Sequence, residues 1–316
     1  MNTSRVLLVG LLASACASTP APPPQSDAPP SQSAPAGTDE TVQLQFGWRP
    51  GDSARVTERR VRRIISGEQT RDTRILTTWR LEASKAADGL ALHTRELQLK
   101  TDDPGTAAFA GLLAAVAEQT PLIVGPNGAA LRLEFADKLS GTITQWVESN
   151  IPADRRPPQL MQTLQARFSP KGIEAREVEQ WNLMVAFWHG GELELGAAYH
   201  YPNPQNPEME IGAEERVPCR EGEAEKACVK LRVNRLSTPA LVQSMREQVA
   251  AVANALLPGA AFDVTSVRET IYIVTEPKTL KPHEVERARV INATVTAEGQ
   301  RRDLTIEEST VREFAW

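Results

Sequence analysis

Cys219 and Cys228 are the two residues of this 316-residue chain best placed for chemistry. Thiols either close a disulfide or, as thiolates, hold a soft metal. The stretch between them, Arg220 to Ala227, is charged and contains Gly222, which suits the tip of a hairpin. Facing each other across such a tip, the thiols would pair in an oxidising compartment. Closing so short a loop is worth about 2.5 kcal/mol of chain entropy. The alternative is two unpaired thiols. Structural zinc does not fit, because the cysteines are far apart in sequence for such a site and no histidine lies near them. No metal site and no cofactor are therefore expected.

The four histidines, His93, His189, His200 and His283, form no close pair. His189, Glu192, Glu194 and His200 lie near one another in sequence, with Glu192, Glu194 and His200 on one strand face, but they read as ordinary surface residues. His189-Gly190-Gly191 resembles the oxyanion-hole segment of lipases and esterases, yet the Gly-x-Ser-x-Gly elbow of that family is absent. The segment reads as a helix end before a strand. Gly51-Asp52-Ser53 resembles the first block of a class of serine esterases, but the late Asp-x-x-His is missing before His283. A turn opening a strand is the simpler reading. There is no phosphate-binding glycine loop. The 40 acidic residues are spread out, and nothing in the sequence pairs two of them for general acid and base work. No catalytic residue is assigned, and no ligand-binding residue either.

Charge is similarly uncommitted. The formal net charge is −5, without a long one-sign block, which argues against a nucleic-acid partner. Arg59, Arg60, Arg62 and Arg63 form the densest basic run and read as a solvated strand face, balanced by Glu58 and Glu68. Trp79, Trp146, Trp181 and Trp188 sit on apolar stripes and read as core rather than as stacking platforms.

The third cysteine says where the chain is sent. Met1 to Arg5 is polar with one positive charge, Val6 to Ala15 is a brief apolar run, and Cys16 ends it. Ten such residues cover about 15 Å as a helix, half of a ~30 Å hydrocarbon core, so the layout is a secretion signal rather than a membrane span. Leu12-Ala13-Ser14-Ala15-Cys16 resembles the lipobox of bacterial lipoproteins. That resemblance implies cleavage before Cys16 and fatty acylation of its sulfur and new amino group. The position three before the cysteine is usually Leu in that family and is Ala13 here. Ala13-Ser14-Ala15 also satisfies the small-x-small rule of ordinary signal cleavage, so both routes stay open. With several acyl chains the anchor would be stable, where one would be marginal. Ala17 stands where the family's inner-membrane members carry Asp, which favours the outer membrane.

Residues 17 to 40 are Ala, Pro, Ser, Gln and Thr with almost no large apolar side chain. Such a composition cannot offset its ordering entropy and reads as an unfolded tether, up to about 70 Å long at ~3.1 Å per residue. The expected organisation is a signal at 1–15, a lipid-anchored tether at 16–40 and one globular domain at 41–316.

Within that domain, strands come first. Ser53 to Ser66 alternates roughly, and Ile75, Thr77, Trp79, Leu81 and Ala83 keep strict period two before a return at Leu90 to Lys100. Short strands flank Gly125-Pro126-Asn127-Gly128. Helical spacing then appears at 106–119, at 136–149, at Leu160, Leu164 and Phe168, and from Ile173 to Trp188 behind a Ser169-Pro170 cap. Strands return at 192–201, 208–218 and 228–235. A helix at 238–256 precedes three long strands at 262–276, 284–297 and 301–314. Antiparallel strands this long must twist and coil. The fold class is α+β: a long, curved, mainly antiparallel sheet, open or half barrel, packed with several helices. In architecture and compartment this is similar to the half-barrel carriers that ferry lipoproteins across the bacterial envelope. The resemblance implies an apolar cavity inside the sheet. The expected protein is a non-catalytic envelope lipoprotein, fixed to the membrane by its lipid anchor, that binds an apolar ligand or lipidated cargo. The alternative is a tethered structural or protein-interaction module of the envelope without a small-molecule site.

Overall fold

Period-two patterning becomes strands of unusual length. The computed structural model describes residues 31–32, 40–102, 117–150, 168–201, 209–223, 225–235, 237–239, 242–243, 245–246, 261–297 and 300–316. The signal, Cys16, nearly all of the tether, the helical patterns at 106–116 and at Leu160 and Leu164, and most of the 238–256 stripe lie outside those residues.

In chain order the strands are β1 (Ser31–Gln32), β2 (Thr41–Gln43), β3 (Ser53–Ser66), β4 (Gln69–Ala86), β5 (Gly89–Thr101), β6 (Leu122–Val124) and β7 (Ala130–Leu133). Helices α1 (Ala136–Asn150) and α2 (Pro170–Met184) follow, with a 3₁₀ turn at Ala186–Trp188. The chain closes with β8 (Glu192–Glu194), β9 (Ala198–Tyr201), β10 (Met209–Val217), β11 (Cys228–Arg235), β12 (Ala261–Thr275), β13 (Pro282–Ala297) and β14 (Gln300–Ala315). Twelve of the strands make one open antiparallel sheet in the order β1-β9-β10-β11-β12-β13-β14-β3-β4-β5-β6-β7, and β2 pairs separately with β8. Near the centre of the sheet β14 pairs with β3, which sets Phe314 opposite Val56 and Glu308 opposite Arg62. Bulges between Thr78 and Arg80 on β4, Ala213 and Glu215 on β10, and Val264 and Ser266 on β12 add local twist.

Each long strand buries one face. On β12, Val267, Glu269, Ile271, Ile273 and Thr275 are buried at every second position. At one end this inner face meets α2, the 3₁₀ turn and β8, and a large core forms around Trp48, Trp181, Trp188, Leu231, Ile273 and Phe314. At the other end a smaller core joins Met245 to Val264, Val267, Ile291, Ala293 and Ile306.

Local chemistry explains the boundaries. Ser169 caps α2 by accepting a hydrogen bond from Gly172 N at 3.0 Å, with Pro170 opening the helix. The expected single helix through Trp188 stops at Met184. The indole N–H of Trp188 donates to Leu183 O at 2.9 Å and takes a carbonyl that a continuing helix would have used. The expected strand 192–201 is two strands hinged at Gly196, whose φ is +81°, so that β8 serves β2 and β9 serves β10. At the β4–β5 turn Gly89 has φ +145°, and a Cβ there would meet Val124 O at 2.2 Å, so only glycine fits. Among the described residues no helix is long and apolar enough to cross a membrane.

Candidate functional site: a charged belt across the inner face

Between its two apolar ends the inner face carries charge. The register places Arg235 of β11 opposite Glu269 of β12, Glu269 opposite Arg289 of β13, Arg289 opposite Glu308 of β14, and Glu308 opposite Arg62 of β3. Five neighbouring strands thus contribute a single row of alternating sign. A second row lies on the side of the large core, where Arg312 faces Glu58.

The pairs are hydrogen-bonded and mostly dehydrated. Arg235 donates through Nη1 to Glu269 at 2.9 Å and through Nη2 to Glu179 of α2 at 2.9 Å. Arg287 Nε donates to the other oxygen of Glu269 at 2.6 Å. Arg289 Nε donates to Glu308 at 2.9 Å, and Arg62 approaches the same carboxylate at 3.5 Å. Arg312 grips Glu58 at 2.6 and 3.0 Å while its guanidinium lies 5.4 Å from the centre of the Trp79 ring. The Glu269 side chain is 3% exposed.

Titration follows from this packing. Burial opposes the charge on Glu269, but Arg287, Arg235 and Arg289 outweigh it and hold the carboxyl at about 2. Burial likewise opposes the charge on Glu58 and Glu308. Arg312 and Arg60 at the first, and Arg289 and Arg62 at the second, hold both below the ordinary value. On α2 the balance reverses. Burial pushes Glu179 up despite Arg235. The sheet side of the belt is therefore fixed charge, and the helix side holds the carboxyl that takes a proton first. The buried arginines are committed to these carboxylates, while Arg60, 38% exposed beside Glu58, is an accessible cation at the edge of the belt. The sheet carboxylates, locked in the ionised form, are unsuited to donating protons.

Beyond Arg60 the inner face continues onto a different surface. Ile75 of β4 faces Thr101 of β5, Thr77 faces Leu99, and all four are only half-buried. A wall of Ile75, Leu99 and two threonines, incompletely covered, thus adjoins Arg60, which lies opposite Ile75. A separate open cleft lies between the β3–β4 and β13–β14 tips, but its lining of Glu68, Gln69, Arg301, Arg302 and Asp303 is polar.

The residues singled out in the sequence fare unequally. Cys219 and Cys228 form a disulfide with Cα atoms 5.0 Å apart. His283, remote in sequence, is brought beside them. Two of the other histidines make structural hydrogen bonds. His189 Nδ1 accepts from Phe46 N at 3.0 Å, and His93 Nε2 shares a hydrogen bond with Ser84 Oγ at 2.9 Å. His189, Glu192, Glu194 and His200 are not gathered into a metal-sized cluster. Asp52 is occupied by Lys281 at 2.8 Å. Trp181 and Trp188 are core, as their stripes imply, and Trp79 is half-buried; the side chain of Trp146 lies outside the description. The arginine run needs correction. Strand alternation sends Arg59 and Arg63 outward to Glu313 and Asp72, while Arg60 and Arg62 turn inward and Arg62 is buried. Cys16 lies outside the described residues.

No family model matches the chain, and no curated protein matches it. Among solved structures, it is similar to lipovitellin, in a structure of lipid–protein interactions, at 10% identity and a TM-score of 0.42 over 85% of this chain. The chain spans about a quarter of that protein, 26% of its length. The beta domain of the Bordetella autotransporter BrkA matches at 10% identity and a TM-score of 0.19, covering 83% of this chain and 98% of that one. Pseudomonas aeruginosa OccK11 matches at 7% identity and a TM-score of 0.18, covering 86% of this chain and 99% of that one.

Proposed function

We propose that this protein is a non-catalytic lipoprotein of the bacterial cell envelope, lipidated at Cys16 and held at the outer membrane, that receives an amphiphile or lipidated cargo on the inner face of its sheet. The observation that carries the proposal is the meeting of two unlike surfaces: the half-buried wall of Ile75, Thr77 and Leu99 beside the arginine-bearing belt. The wall suits acyl carbon and Arg60 suits an anionic head. The disulfide agrees with an oxidising compartment, and the lipobox-like segment supplies the anchor.

Intact-mass analysis of the membrane-fraction protein, read together with lipids extracted from it, tests both halves. Loss of residues 1–15 with added acyl mass supports the anchor; an unmodified mature chain overturns it. For the ligand, a fluorescent fatty acid is the probe. Leu99→Glu sets an unpaired charge in the wall and is expected to weaken binding about tenfold or more, and Ile75→Ala, which removes apolar surface beside Arg60, should weaken it less. Unchanged binding in both variants overturns the assignment of the wall.

A further inference from the structure

We propose that reducing the Cys219–Cys228 disulfide converts this corner of the sheet into a binding site for a soft cation, with the two thiolates and His283 Nδ1 as ligands. The ligand atoms of the three residues already lie within 4.8 Å of one another. Zinc–sulfur bonds near 2.3 Å and zinc–nitrogen bonds near 2.0 Å require spacings of roughly 3.5 to 4 Å between ligand atoms. Rotation about the Cys side-chain bonds supplies that separation once the S–S bond is gone.

The histidine makes this more than a pair of cysteines. Its side chain is 7% exposed, and Nδ1 is buried without a hydrogen-bond partner. The other nitrogen, Nε2, lies 3.1 Å from Glu276 Oε1. Glu276 is itself fixed, because its Oε2 accepts from Thr279 Oγ1 at 2.7 Å. A carboxylate holding one imidazole nitrogen so that the other is offered to a metal is the outer arrangement that metal-binding histidines need. The surroundings are dry, since Cys228 and Thr275 are fully buried, and Thr275 Oγ1 also lacks a partner. Cys228 opens β11 and His283 lies near the start of β13, with β12 between them, so two of the three ligands sit on rigid strands.

The chemistry balances with a dithiol reductant. The S–S bond accepts two electrons and two protons, and the dithiol closes to its own disulfide. Binding the cation then releases both thiol protons, leaving two thiolates and a neutral imidazole. Thiolate-rich sites of this kind favour zinc or monovalent copper. In the oxidised chain the sulfurs are bonded to each other and the site is switched off.

The test uses the full chain carrying Cys16→Ser, so that Cys219 and Cys228 supply its two thiols, and Zn²⁺ as the probe. The protein is reduced anaerobically with a phosphine, desalted and dialysed against zinc. One zinc per reduced chain and none per oxidised chain is expected, and Co²⁺ in its place should show thiolate-to-metal charge transfer with tetrahedral d–d bands. Glu276→Gln should weaken zinc about tenfold with the metal still bound. His283→Ala should lose more than that with both thiols still titratable. His283→Gln, whose amide can still meet Glu276, serves if the alanine variant fails to fold. A reduced, folded chain that takes up no stoichiometric zinc overturns the proposal, as does a histidine variant that binds zinc as tightly as its parent.

Discussion

The two ends of the inner face solve the same problem differently. At the large-core end, Trp48 stands between Trp181 and Trp316, with ring centres 5.0 and 4.7 Å away and both contacts edge-on. Every one of these indoles also spends its N–H. Trp48 donates to Leu280 O, Trp181 to Gly128 O and Trp316 to Pro282 O. Large apolar area, favourable ring geometry and satisfied donors all act in one direction there. A few residues along the same strands, Glu269, Arg289, Glu308 and Arg62 are dehydrated at a cost that their mutual attraction only roughly repays. Apolar side chains of similar size would hold the sheet as well. The large-core end thus gains stability from every contact it makes, whereas the belt gains little net stability from its charges.

If that contrast is right, the heaviest loss comes from the sealed end. Trp188 is 2% exposed, and Trp188→Ala should lower unfolding free energy by about 4 kcal/mol in urea titrations, the usual cost of emptying a buried aromatic site. Ile306→Ala in the small cluster around Met245 should cost about 3 kcal/mol, less than the tryptophan. The reverse ranking would mean that the small cluster, not the aromatic one, anchors the sheet. Glu269→Gln comes next, at about 3 kcal/mol. The loss arises because Arg235 and Arg287 are left with an uncompensated charge, not because the pair itself contributes so much. A change well under 1 kcal/mol would show that water reaches the belt.

How far the sequence foretold this structure depends on which face of a strand is considered. The last three strands lie within two residues of where period-two patterning sets them, and the hairpin joining Cys219 to Cys228 follows from its charged tip. The belt escaped because charged residues at inward positions break the very alternation used to find inward positions. Glu58, Arg60 and Arg62 are two apart on β3, as are Glu308, Thr310 and Arg312 on β14. Such matched runs become legible only when the strand pairing that sets Glu308 against Arg62 is known. His283 was invisible beside the cysteines for the same reason. Sheet topology, not sequence distance, brings them together.

Acid should separate the two sides of the belt. Glu269 titrates at about 2 in the folded chain against an ordinary value of 4.5. Its contribution, up to about 3 kcal/mol, is present above the ordinary value and drains away as pH falls from there toward 2. Glu58 and Glu308 shift in the same direction. Glu179 shifts the opposite way, so the folded state holds more protons at this group than the unfolded state just above the ordinary value. Its effect on stability therefore improves as pH falls toward that value, against the loss from His93, whose half-buried ring is harder to protonate than in the unfolded chain. Urea midpoints should drop below pH 4, and between neutral pH and that point Glu179 raises them relative to a chain without it. Glu179→Gln should remove that gain and Glu269→Gln should flatten the drop. A profile that neither variant alters would contradict the division of the belt into fixed and titrating halves.

The smallest effect belongs to the outer face, where the same residue types stand in water. Arg59 donates to both oxygens of Glu313 at 2.7 and 3.1 Å, a geometry as good as any inside the belt. Their side chains are 55% and 45% exposed. Solvent screens the attraction, and ordering two long side chains offsets much of the remainder. Arg59→Ala should therefore cost no more than about 0.5 kcal/mol in urea unfolding, and less at high salt. Set beside Glu269→Gln, it compares an exposed arginine–glutamate pair with a buried one. If the two substitutions cost the same, burial is not what distinguishes the faces of this sheet. A several-fold difference would mean that the inward turn of every second charged residue on the central strands creates the electrostatic character of the interior.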